Sequence, residues 1–192
     1  MFILRRPTNS EIRGFLANQE ESGFSYDAVG LTRTGDAPDG FNVDHNRIRL
    51  GTGLQRFARG ADGIRHWKMF AMPQTQLCWP DCPIEAGSTV AIVFYHFGFW
   101  SINAARIVYV LEEHGEIEKF AFAYGTLFDH AESGEERFAV EWNRADDSVY
   151  YDLFAFSRPR HPLVRITKPL ARRLQKSFIV ASKTAMLNHV NR

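Results

Sequence analysis

The stretch FAFAYGTLFDHAESGEERFAVEW, Phe120–Trp142, changes character in its middle. Aromatic residues alternate through Phe120, Phe122 and Tyr124, then glycines, carboxylates and one histidine follow. Alternation returns at Phe138, Val140 and Trp142, with Arg137 and Glu141 on the opposite parity. A period of two is that of a strand with one buried face. Two such runs joined by a polar, glycine-bearing segment read as an antiparallel hairpin. The same segment raises a functional question, because His130, Glu132, Glu135 and Glu136 are residue types that ligate metals or move protons, with Glu135 placed to orient His130. They lie in a connection between strands, however, and not at metal-ligand spacing on one helix face. Ser133 and Gly134 suit a polar turn. The hairpin is the plain reading; a ligand rim or a catalytic centre is the sharp one.

The period of two continues outward. From Gln74 the segments TQLCW, STVAIVFYHFGFW, INAARIVYVLEE, IEKFAFAYGTL, EERFAVEW and SVYYDLFAFS read as strands of an antiparallel meander with one covered face. The cover is TKPLARRLQKSFIVASKTAMLNHV, with Thr167 as cap, Pro169 in the first turn, and Leu170, Leu174, Phe178, Ala181 and Ala185 along one stripe. Upstream, FNVDHNRIRLG reads as an exposed strand. LQRFARGADGIRHWKMF, capped by Thr52, reads as two short helices because Gly60 and Gly63 weaken its centre. Before it, Asn9 or Ser10 caps a short helix bearing Ile12, Phe15 and Leu16, and GLTRTGDAPDGF is turn chemistry. The sum is an α+β domain in which a long C-terminal helix lies in the hollow of a curved antiparallel sheet. Residues 1–40 are a lead-in packed on it, and residues 41–192 are the sheet-and-helix domain proper.

Composition narrows the function classes. The chain has 192 residues, 45% hydrophobic and 14% aromatic, with a formal net charge of +1. That length supports one core without disulfides, and the charge gives no field to recruit nucleic acid. MFILRRPTNSE lacks the apolar core of a signal peptide. The longest apolar run, Val90–Trp100, falls short of the roughly 20 residues of a membrane-spanning helix. A cytoplasmic protein without a transmembrane segment is the expectation. Cys78 and Cys82 are too few for a zinc site or a disulfide framework and read as a free structural pair, so no metal or other cofactor is expected.

Parity nominates pocket residues. Tyr109, Tyr124, Thr126, Tyr151 and Ser157 fall with Ile107, Phe122, Phe138 and Leu153 on the covered face. Polar tips there either bond one another or fix an apolar ligand, and a one-residue bulge swaps the assignment. His96 reads as a core histidine. Arg106 reads as paired with Glu141 or Asp152, or as the seat of an anionic headgroup. Ser157 has no nucleophile elbow around it. After Asp152 the chain is free of acidic residues, so the last helix is basic, which suits a solvated outer face or an anionic partner.

The blocks YDAVGLT, PDGFNVD, LGTGLQRFARGADGIRHWKMF, AYGTLFDHAESGEERF and FSRPRHP, taken in order, resemble the bacterial and plant family known as domain of unknown function nineteen-ninety. The block Tyr124, Gly125, Thr126, Leu127, His130, Gly134, Glu135, Glu136 and Phe138 matches it, while Ala131 stands where the family pattern carries a proline. The family is similar in turn to the START-like helix-grip superfamily, whose members hold lipids, sterols or polyketides between sheet and helix. The resemblance implies a pocket and no particular reaction.

The sequence therefore leads to a binder of an apolar or amphipathic small molecule, held by Tyr109, Tyr124, Thr126, Phe138, Tyr151 and Ser157. The alternatives are an enzyme of the cyclase or hydratase type using His130 with Glu135, or Tyr124, for proton transfer, and an interaction module using the basic helix.

Overall fold

The computed structural model describes residues 1–96, 98–161 and 168–192. An antiparallel sheet forms from β1 (Phe2–Ile3), β2 (Asn42–Thr52), β3 (Thr75–Cys78), β4 (Thr89–His96), β5 (Phe99–Glu113), β6 (Ile117–Thr126), β7 (Glu132–Asn143) and β8 (Ser148–Pro159). Its order is β2-β8-β7-β6-β5-β4-β3, with β1 beside the start of β5. The helices are α1 (Asn9–Ala17), α2 (Leu54–Arg65) and α3 (Lys168–Val190). This is the α+β helix-grip architecture: a curved antiparallel sheet around a long C-terminal helix. Among the described residues no helix is long and apolar enough to cross a membrane.

Cross-strand partners share a face, so the register sorts the sheet. Ile107, Tyr124, Glu136, Ala155 and Asp44 form one transverse row on the concave side. Phe122, Phe138, Leu153 and Asn46 form the next, and Phe120, Val140, Tyr151 and Ile48 the third. The core lies here, with Phe122, Phe138, Tyr151 and Leu153 inaccessible to solvent. Phe138 stacks on Phe122 at 5.4 Å between ring centroids. Burying such a side chain contributes about 2–3 kcal/mol.

Several local expectations shift. The break in the apolar run falls at Gly98 (φ +89°), so residues 99–113 are one strand and the hairpin comes earlier than the sequence pattern placed it. The β6–β7 connection is confined to residues 127–131, and Glu132, Ser133 and Gly134 already belong to β7. Gly134 is there because the neighbouring strand passes so close that a Cβ would collide with the Phe156 carbonyl, not because a turn needs it. α2 runs unbroken through Gly60 and Gly63. A Cβ on these would lie 2.9 Å from Val140 Cγ1 and 2.7 Å from His189 Cδ2, so both glycines let α2 lie close to β7 and α3. Their helix-weakening effect is outweighed by that packing. Gly53, not Thr52, stands at its N-cap.

Thr8, one residue before the expected caps, closes α1 with a capping box: Glu11 N donates to Thr8 Oγ1 at 3.3 Å and Thr8 N to Glu11 Oε2 at 2.8 Å. The proposed Thr167 cap of α3 lies outside the described residues. On α3 the deepest positions are Ile179, Ser182, Met186 and Val190, about one residue around the helix from the expected stripe. The C-terminal half of α3 is wedged against α2 as well as the sheet, and this turns it.

Candidate functional site

The two halves of α3 meet the sheet differently. At the C-terminal half the interface is filled, and Tyr151 OH and Ser182 Oγ are 2.8 Å apart with both residues buried. At the N-terminal half a cavity of about 740 Å³ separates helix from sheet. Its walls include Leu174 and Phe178 of α3, Phe94 and Phe99 of the β4–β5 hairpin, and Tyr124 and Glu136 of the first concave row.

One cluster of polar groups stands where β2 and β6–β8 meet α3, and Gln74, Thr75, His96, Ser101 and Asn103 add others around β3–β5. Tyr124 OH donates to Glu136 Oε2 at 2.5 Å. Arg172 grips Asp44 with two bonds of 2.6 and 2.9 Å and donates to Gln175 Oε1 at 2.7 Å. Gln175 Nε2 in turn donates to Ser157 Oγ at 3.1 Å and to Glu132. Loss of water raises the Glu136 carboxyl to about 7; the Tyr124 bond opposes this, while the charges of Glu132 and Asp44 add to it. Burial also raises Glu132, against its bonds to Ser157 and Gln175. Tyr124 is pushed well above the ordinary tyrosine value by burial first and by Glu136 second.

Of the residues nominated from sequence, Tyr124, Thr126, His130, Glu135 and Ser157 are on the lining of this cavity. Phe138 and Tyr151 share the concave face, but they sit in the packed core, Tyr151 being capped by Ser182. Tyr109 is on the other side of the sheet. The β5 register shifts between Ile107 and Tyr109, so Ile107 pairs with Tyr124 and Tyr109 with Ala123. That one-residue bulge reverses the parity that the sequence pattern assumed. Tyr109 OH bonds Thr32 Oγ1 at 2.8 Å, and burial raises it to about 12.

His130 and Glu135 share no hydrogen bond. Glu135 points to the convex face, where the lead-in encloses its carboxylate: Tyr26 OH and Gly30 N donate at 2.7 Å each, Thr32 N at 3.1 Å, and the Thr32 hydroxyl adds another bond. Around it Arg137 joins Thr32 O at 2.8 Å to Asp152 at 2.9 Å, and Asp152 meets His45 Nε2 at 2.7 Å. His130 is held by its own loop, where Glu132 N donates to Nδ1 at 3.0 Å. Burial lowers its pKa to about 4, so the ring is neutral at ordinary pH.

The remaining candidates are placed as follows. Arg106 pairs with neither Glu141 nor Asp152; it donates to the carbonyls of Gln19, Ser22 and Glu20 at 2.7, 2.8 and 2.8 Å and to Thr89 Oγ1 at 3.0 Å. It therefore fastens the end of α1 to the sheet. His96 lies on the cavity wall against Phe94, its pKa lowered by burial. Cys78 and Cys82 are free thiols. Arg172, one of the cations assigned to a solvated face, belongs to the cavity cluster, and Arg165 lies outside the described residues.

The residues that sequence reasoning underweighted are Glu136, Asp44, Arg172 and Gln175. Glu136 was accessible by parity, being two positions from Phe138. The others reach the site only through the β2–β8 pairing and the placement of α3.

The architecture and cavity define a helix-grip protein. The chain belongs to the family described as Domain of unknown function (DUF1990), whose model matches residues 25–185. It is 35% identical over 208 residues to a UPF0548 protein of Dictyostelium discoideum, covering 99% of this chain and 96% of that one. It is 32% identical to a UPF0548 protein of Deinococcus radiodurans over 188 residues, 92% of each chain. Among solved structures, hypothetical protein jhp0584 of Helicobacter pylori superposes with a TM-score of 0.52 at 13% identity, over 88% of this chain and 97% of that one. That likeness is one of fold.

Proposed function

We propose that this protein binds a small, largely apolar molecule in the cavity beneath the N-terminal half of α3. The observation that carries the reading is the contrast along one helix: the same sheet–helix interface that is filled at Tyr151 and Ser182 stands open for about 740 Å³ at Tyr124 and Phe178. The hollow is partly open to solvent, and its volume falls within the roughly 300–1,000 Å³ of small-molecule sites. Largely aromatic and aliphatic walls with a cluster of polar groups at Glu136 suit an amphipathic occupant.

The test is native mass spectrometry of protein purified from its own host, followed by denaturation and identification of any released molecule. A stoichiometric apolar species, lost in a Leu174→Trp variant that fills the cavity, is the expected result. Protein that carries nothing and takes up no alkyl-chain probe overturns the reading.

A second reading, proton-transfer chemistry in the same cavity, is favoured by Tyr124 bonded to a carboxyl held near neutrality at Glu136. It does not use Glu135, whose carboxylate is enclosed by the lead-in. Turnover of a co-purified molecule that survives His130→Ala and disappears in Glu136→Gln is its signature; the reverse pattern returns the chemistry to His130.

A further inference from the structure

The donors and acceptors around the cavity do not balance. Tyr124 spends its only proton on Glu136. Gln175 spends both amide protons on Glu132 and Ser157, and Arg172 is engaged by Asp44 and Gln175. Thr126 Oγ1, which takes a proton from Gly134 N at 2.9 Å, faces Gly134 O at 3.1 Å and Ser25 Oγ at 2.6 Å. At Glu136 these bonds leave an acceptor open on the cavity wall; Arg172 keeps two of its five N–H groups outside them, and elsewhere on the lining the Thr75 hydroxyl is buried without a partner among the described residues. Glu136 makes its one bond through Oε2, and Oε1 receives no hydrogen bond from any described residue, although the side chain lies on the cavity wall. Three carboxylates, Asp44, Glu132 and Glu136, share this side of the cavity, and one described guanidinium, Arg172, is bonded to Asp44 without lining it. An ionised carboxylate accepts and never donates, and like charges brought together out of water repel.

We infer that the molecule held in the cavity carries a protonated nitrogen at the end that meets Glu136, so that the ligand class is an amphipathic amine with an alkyl or aromatic body. This rests on the small-molecule reading above and specifies its head group. An ammonium donates to Glu136 Oε1 and relieves the repulsion with Glu132 and Asp44. A carboxylate or phosphate head would add a further negative charge to acceptors already crowded, which buried sites reject strongly. An alcohol can donate one hydrogen bond but cannot offset the charge. The aromatic walls add to the selection, since ring faces attract cations; Tyr124, Phe94 and Phe178 all border the cavity.

Protonation of Glu136 should tune the preference. The charged and titratable groups that act on it are Tyr124 on β6, Glu132 on β7, Tyr151 on β8 and Asp44 on β2; Arg172 on α3 is paired to Asp44, and His96 on β4 and His130 of the β6–β7 connection line the same cavity. Glu136 is raised to about 7, and burial raises Glu132 as well.

Calorimetric titration with three probes of one tail, decylamine, decanol and decanoate, separates the possibilities. At about pH 8, where Glu136 is ionised, decylammonium is expected to bind roughly 10-fold or more tightly than either other probe. The preference should shrink at about pH 5.5, where Glu136 holds its proton. In Glu136→Gln, which retains the Tyr124 bond, decanol binding should persist and the advantage of the amine should fall severalfold. Equal affinities for all three, or a preference for decanoate, overturns the amine while leaving the small-molecule reading in place. Failure of all three to bind overturns both. The pH dependence of the unmodified protein decides the matter if the variant does not fold.

Discussion

Glu135 and Glu136 are neighbours in sequence and face opposite sides of one strand, and the two sides treat a carboxylate in opposite ways. On the convex side the lead-in residues Tyr26, Gly30 and Thr32 surround Glu135 with donors. On the concave side Glu136 has one donor, Tyr124, and otherwise faces a cavity and two more carboxylates. Burial of a charge is tolerated where hydrogen bonds replace water and resisted where they do not. The first arrangement fixes structure. The second leaves an acceptor available to something that is not part of the chain.

The sharpest way to break this contrast is to remove each carboxylate in turn. Glu135→Ala should destabilise the fold by about 3–5 kcal/mol, because it strands several buried donors; urea denaturation measures it, and a loss below about 1 kcal/mol would mean that the lead-in does not depend on this anchor. Phe138→Ala should cost a similar amount, about 3–5 kcal/mol, as a truncation in the packed core. If Phe138→Ala were nearly neutral, the hollow would extend under the whole of α3.

Glu136→Gln should act in the other direction, and with pH. The folded pKa of Glu136, about 7, lies above its ordinary value of 4.5. The folded state therefore binds the extra proton, and stability from this group is intact below pH 4.5 and lost as pH rises through 7. Relative to the parent, the glutamine variant should gain about 2–3 kcal/mol near pH 8 and little near pH 4. His130 has the opposite sign: its folded pKa of about 4 lies below 6.5, so its contribution is lost as pH falls from 6.5 through 4. His130→Asn should flatten the acid limb of the stability profile and leave the alkaline limb alone. Chemical denaturation at a series of pH values reads both. Coincident changes in one limb would show that the two groups are coupled rather than separate.

The smallest effect sharpens the comparison most. Tyr124→Phe should cost no more than about 1 kcal/mol and should move the Glu136 midpoint upward by removing the bond that opposes its burial. Carbon-detected NMR of the carboxyl reads that midpoint. A downward move would mean that Tyr124 is not the donor holding Glu136.

Much of this arrangement was legible in the chain. Alternation in residues 120–142 predicts the β6–β7 hairpin, and the parity rule that nominates Tyr124 through Phe138 also places Glu136 beside them. The rule failed at Tyr109 because the bulge at residue 108 leaves no mark in the hydrophobic pattern. Glu135 attracted a catalytic reading because its neighbours in sequence are polar; its partners Tyr26 and Thr32 lie about a hundred positions away, as the 109- and 103-residue separations show.

What the sequence determined by itself is the set of local periods: which runs are strands, where the long helix lies, and which residues share a face. Those follow from the geometry of two and 3.6 residues per repeat, which any short window expresses. What only the tertiary structure decided is where that helix closes on the sheet and where it stands away. Gly60 and Gly63 draw α2 in under one end of α3, while at the other end Asp44, Arg172 and Gln175 meet across chain separations of up to 128 residues. A cavity is a property of surfaces that fail to touch, and no local stretch of sequence records a contact that is missing.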